Sequence, residues 1–124
     1  QTYWDFTGYD QIEFFFRFVN EDGTPRPAKD IIANKLLHLD IRLELYAPKP
    51  KEGNEPIKYV DKSVFGDVVN NPSFSGAEDE WVHIRTKIPN NLKAVEIVKI
   101  SSLPPKNIIQ IKNIYLSKNS YKNN

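Results

Sequence analysis

Ten consecutive residues, Leu37-His38-Leu39-Asp40-Ile41-Arg42-Leu43-Glu44-Leu45-Tyr46, alternate without exception, each odd position aliphatic and each even one polar or aromatic. Successive side chains of a strand point to opposite faces, so Leu37, Leu39, Ile41, Leu43 and Leu45 share one face, whereas a helix would spread them around its circumference. Residues 37–46 are therefore read as a strand with one oily and one wet side. The same two-residue period, less regular, runs through 11–19, 56–60, 81–88, 93–101 and 107–118, giving at least six strands. In 81–88 the inward set is Val82, Ile84 and Ile88, and Trp81, His83, Arg85 and Lys87 face the other way. In 12–18 the inward set is Ile12, Phe14, Phe16 and Phe18, which leaves Phe15 on the charged side with Glu13 and Arg17.

Turn-forming residues separate these runs: Glu21 to Pro27, Pro48 to Pro56, Asn70-Asn71-Pro72, Pro89-Asn90-Asn91 and Pro104-Pro105. Residues 29–34 fit one helical turn, and no segment carries the 3.6-residue period over a helix of structural length. Many short strands between turns predict an all-β fold, an antiparallel β-sandwich of jelly-roll type. A chain of 124 residues encloses one core, so residues 1–118 are expected to form a single sandwich domain, with 119–124 a polar C-terminal tail. The missing initiator Met and the start at Gln1 suggest a module of a larger, multidomain protein.

Composition removes several classes of function. Without cysteine there are no disulfides, thiolate metal sites or cysteine nucleophiles. Seventeen basic and 16 acidic residues leave a net charge of +1, which argues against nucleic acid as a partner, and no apolar run is long enough for membrane insertion. No Asn-x-Ser/Thr site is free of proline. Both histidines, His38 and His83, fall on outward strand positions, and no nucleophile elbow, phosphate loop or zinc-protease helix is present. A paired-carboxylate hydrolase would have to use Glu13, Asp40 or Glu44, but alternating strands scatter carboxylates over a solvated face in any case. The expectation is therefore no catalysis and no cofactor. Glu78-Asp79-Glu80 is the one run that suits a structural calcium ion, but adjacent carboxylates repel and no EF-hand spacing is present, so a solvated acidic loop is the favoured reading.

If the strands at 11–19, 37–46 and 81–88 are neighbours, their outward positions bring together Phe15, Arg17, His38, Asp40, Arg42, Glu44, Tyr46, Trp81, His83 and Arg85. A sugar ring stacks its C–H face on an aromatic ring, while carboxylate and guanidinium groups meet its hydroxyls, so this set is the candidate ligand-binding site for a polysaccharide or glycan. Trp81, Tyr46 or Phe15 would stack, and Asp40, Arg42, Glu44, His83 and Arg85 would bond hydroxyls. Ordinary cross-strand ion pairing explains the same residues, and Trp81 serves as well to close the end of a sandwich. Tyr9, Tyr59 and Tyr121, near loops, are possible contributors to a rim.

Three successive segments, Glu80-Trp81-Val82-His83-Ile84, Leu92-Lys93-Ala94-Val95-Glu96-Ile97 and Ile111-Lys112-Asn113-Ile114-Tyr115-Leu116, resemble the closing strands of jelly-roll carbohydrate-binding modules. The resemblance covers roughly the last 45 residues, and Lys112 stands where those modules often have an acidic residue. It implies a non-catalytic module that attaches a larger protein to polysaccharide, in an extracellular location or at a cell or virion surface. The rival expectation is a structural or protein-interaction sandwich, such as an adhesion, spacer or phage-tail domain, with a merely solvated polar face.

Overall fold

A computed structural model describes residues 3–26, 40–49, 55, 57–69, 81–103 and 108–119. These contain nine strands and no helix: β1 (Trp4–Asp5), β2 (Gln11–Val19), β3 (Pro25–Arg26), β4 (Asp40–Tyr46), β5 (Lys58–Ser63), β6 (Val82–Lys87), β7 (Ala94–Val95), β8 (Ile97–Leu103) and β9 (Ile108–Ser117). Every pairing is antiparallel. In the first sheet β2 is central. Its residues 11–16 pair with β6 and 18–19 with β3 along one edge, and β9 occupies the other edge. In the second sheet β4 lies between β5 and β8. A short ribbon of β1 and β7 completes the set.

The two sheets close on one core. Ile12, Phe14, Phe16 and Phe18 of β2 meet Val82 and Ile84 of β6 and Ile41, Leu43 and Leu45 of β4, all buried in a single apolar cluster. Burying each such side chain contributes roughly 1.5–3 kcal/mol, enough for the alternation to fix which face of each strand turns inward. Phe6 is fully buried beside Trp4, so the N-terminal aromatic group belongs to the packing. The pairings are nested: β2 with β9 in one sheet, β4 with β8 in the other.

Several expectations shift in detail. The strand read at 56–60 runs from Lys58 to Ser63, and the one read at 93–101 divides into β7 and β8. Pro25, read as loop, pairs at the end of β2, an edge position where proline's missing N–H does no harm. The helical turn at 29–34, His38 and Glu78-Asp79-Glu80 lie outside the described residues.

Two bulges alter the direction of side chains. Between the Glu13–Tyr115 and Phe15–Lys112 pairs, β9 inserts Asn113 and Ile114 opposite Phe14 alone. Asn113 takes φ 55°, the left-handed region that Asn tolerates better than most residues. The extra residue re-phases β9, so that Lys112 and Tyr115 both face outward although three positions separate them. The second bulge is in β5, where Val60 pairs with Leu45 and Lys58 with Tyr46, leaving Tyr59 unpaired and turned outward.

Candidate functional site

Alternation distinguishes inside from outside but does not say which strands share a sheet. The ten candidate residues were expected on one face. The structure instead places Phe15, Arg17, Trp81, His83 and Arg85 on the outer side of the β2 sheet, and Asp40, Arg42, Glu44 and Tyr46 on the outer side of the β4 sheet. Because the inward residues of both sheets meet in one core, these two groups look away from each other.

On the β2 sheet the register sets out a ladder of outward residues. Gln11 has Lys87 and Ser117 beside it, Glu13 has Arg85 and Tyr115, Phe15 has His83 and Lys112, and Arg17 has Gln110. Trp81, one residue ahead of the Phe16–Val82 pair, stands next to Arg17. Glu13 is the hub. Its Oε1 accepts from Tyr115 Oη at 2.9 Å and lies 2.7 Å from His83 Nε2 and 3.2 Å from Arg85 Nε. An ionised carboxylate only accepts, so His83 carries its proton on Nε2. Glu13 is 3% exposed although it sits on an outer face, because the surrounding side chains cover it. Burial pushes its pKa up, but hydrogen bonding by Ser117, Tyr115 and His83 and the Arg85 charge outweigh this and hold it below the usual glutamate value. Burial, reinforced by the bond to Glu13, raises the Tyr115 phenol above its ordinary value.

Two aromatic rings of this face, Phe15 and Trp81, are covered by their own neighbours, whereas Tyr115 is 42% exposed. Phe15 stacks on the His83 ring, with centroids 4.3 Å apart and planes 16° from parallel. The Trp81 centroid has the Arg17 guanidinium at 4.5 Å and Lys112 Nζ at 4.1 Å, two cation–π contacts on one indole. Arg17 is fixed further by donating from Nε to Gln110 Oε1 at 2.8 Å.

The β4 face is a closed ionic network. Arg42 bridges Asp61 at 2.6 Å and Asp40 at 3.6 Å, and Ser63 also bonds Asp40. Lys58 lies 2.9 Å from Glu44 and 3.3 Å from Asp61, Lys99 lies 3.5 Å from Glu44, and Tyr46 Oη donates to Glu44. Its hydrogen bond to Lys58 holds Glu44 below its usual value, and Asp61 is lowered by Arg42 and then Lys58. These groups satisfy one another in water, which is the behaviour of a solvated strand face.

A third place comes from the β5 bulge. The ring of Tyr59, 41% exposed, borders an open cleft of about 460 Å³ that is also lined by Pro89, Asn91, Leu92 and Lys93. Its far wall is anchored. Leu92 is buried in the core, Phe6 N–H donates to Lys93 O at 2.7 Å, and Lys62 Nζ donates to Lys87 O at 3.1 Å. The cleft thus brings the exposed Tyr59 together with the exposed residues Asn91 and Lys93 on backbone that is tied down. Sequence reasoning placed Tyr59 near a possible rim but missed Asn91 and Lys93, because only the bulge and the sandwich packing bring β5 against the connection after β6.

Among the described residues, no group of three or more His, Asp or Glu side chains is placed to hold a metal ion. No family model, curated protein or solved structure matches the chain.

Proposed function

We propose that this domain is a non-catalytic carbohydrate-binding module that holds a sugar in the Tyr59 cleft and attaches a larger protein to a polysaccharide or cell-surface glycan, outside the cell. The observation that carries this reading is the combination of an outward-turned, exposed Tyr59 with Asn91 and Lys93, residues that carry an amide and an ammonium, around one concave space. Ligand sites are concave, mostly apolar and equipped with a few polar groups. A pyranose would lay its C–H face on Tyr59 and offer its hydroxyls to Asn91 and Lys93. The stacking role expected of Trp81 passes to Tyr59, since two cations of the same face already cover the indole. The nested pairing of β2 with β9 and of β4 with β8 supports a rolled, jelly-roll-like winding.

Affinity electrophoresis in gels cast with neutral soluble polysaccharides tests the reading. Retardation by at least one of them, lost in Tyr59→Ala with an unchanged circular dichroism spectrum, is the expected result. A Tyr59→Ala chain retarded as strongly as the parent, or a parent retarded by none, refutes it.

The second reading, a protein-interaction sandwich, has its own observation. The edge strands β8 and β9 expose Ile97, Leu103 and Ile108, and each pairs on one side only among the described residues, as a template for strand addition does.

A further inference from the structure

We infer that the outer face of the β2 sheet is a second binding surface, built for an extended acidic polysaccharide. Lys87, Arg85, Lys112 and Arg17 occupy four successive rungs of the outward ladder, against one carboxylate among the described residues of that ladder, Glu13, which is buried and already bonded to three donors. The whole chain has a net charge of +1, so this face concentrates positive charge while the rest of the molecule is net negative.

The spacing selects the ligand's shape. Outward residues two apart on a strand lie about 6.8 Å from one another, so four rungs extend over roughly 20 Å. The cations do not converge on one point, and a lone sulfate or phosphate would meet only one of them. A linear polyanion would meet all four. Single nucleic-acid strands are held by successive bases stacking on a row of open aromatic faces, and here Phe15 lies on His83 and Trp81 under Arg17 and Lys112, which leaves Tyr115 as the one exposed ring of this face among the described residues. Carboxylate or sulfate groups on a sugar chain ask only for cations and hydroxyl partners, which the face supplies. The inference is independent of the Tyr59 cleft.

The 124-residue chain is run in gels containing polygalacturonate, dextran sulfate or neutral dextran, and titrated in solution with polyglutamate and oligodeoxythymidine. Retardation by polygalacturonate, or by dextran sulfate if the surface prefers sulfate, and none by dextran through this face, is expected. Lys112→Gln and Arg17→Gln should each weaken it about tenfold, the loss of one charge-assisted bond. Lys99→Gln, the same charge change on the opposite sheet, should leave it unaltered, and matched melting curves establish that the variants fold.

No retardation by either acidic polymer overturns the inference. So does equal weakening by Lys99→Gln, which means attraction to net charge alone, and so does tighter binding of polyglutamate or oligodeoxythymidine, which assigns the face to another partner. Retention of acidic polymer by Tyr59→Ala, with its affinity for neutral polysaccharide lost, separates the two sites.

Discussion

Replacing Glu13 by Gln keeps the shape of the side chain and removes its charge from the centre of the β2 face, where His83, Tyr115 and Arg85 converge on one carboxylate oxygen. Hydrogen bonds to a charged group contribute about 1.5–3 kcal/mol and neutral ones about 0.5–1.5, so each converted bond loses on the order of 1 kcal/mol. The Arg85 contact is discounted because that side chain is 43% exposed and screened by water. About 2 kcal/mol remains. For a domain of this length that corresponds to a fall in melting temperature of roughly 8 °C. The effect depends on pH in a defined sense. Glu13 has a folded pKa below its ordinary 4.5, so its contribution is complete above that value and disappears as pH falls through the folded pKa. Differential scanning calorimetry of both proteins at pH 7, 4 and 3 should show the full gap at pH 7 and a closing gap in acid. A gap under 2 °C at pH 7, or one that stays constant down to pH 3, refutes the account of Glu13 as an ionised hub.

Two further substitutions probe the frame around it. Asn113→Val puts a β-branched side chain at φ 55° and should cost about 1–2 kcal/mol in denaturant unfolding, whereas Asn113→Gly should cost nothing. Equal stability of the two would mean that the bulge is not held as described. Glu44→Gln, in the solvated network of the β4 face, should move the melting temperature by less than about 3 °C, and by less still in 1 M salt, as calorimetry would show.

Much of the architecture could be read from residue order. The span 11–19 is the observed β2, and its Ile12, Phe14, Phe16 and Phe18 are fully buried as alternation requires. Phe15, the one aromatic out of phase with them, does lie on the charged face, stacked on His83. Less of the candidate site was legible. Its ten residues were assembled on the premise that three strands are neighbours, and that premise holds for β2 and β6 but fails for β4. Tyr115 and Lys112, which complete the β2 face, gave no signal because an unbroken period of two would have put them on opposite sides.

What the sequence alone determined is the sorting of the regular strands β2, β4 and β6 into an inner and an outer row. That sorting is local: the period of two and the free energy of burying aliphatic and aromatic side chains act within a single strand. Tertiary structure decided everything that depends on which strand lies next to which: the assignment of β4 to a separate sheet, the five donors and cations around Glu13 and Trp81, and the cleft at Tyr59. Strand pairing joins residues up to about a hundred positions apart, as in Glu13 with Tyr115, and a bulge of one residue reverses the facing of all that follows, so neither can be read from the local alternation of side chains.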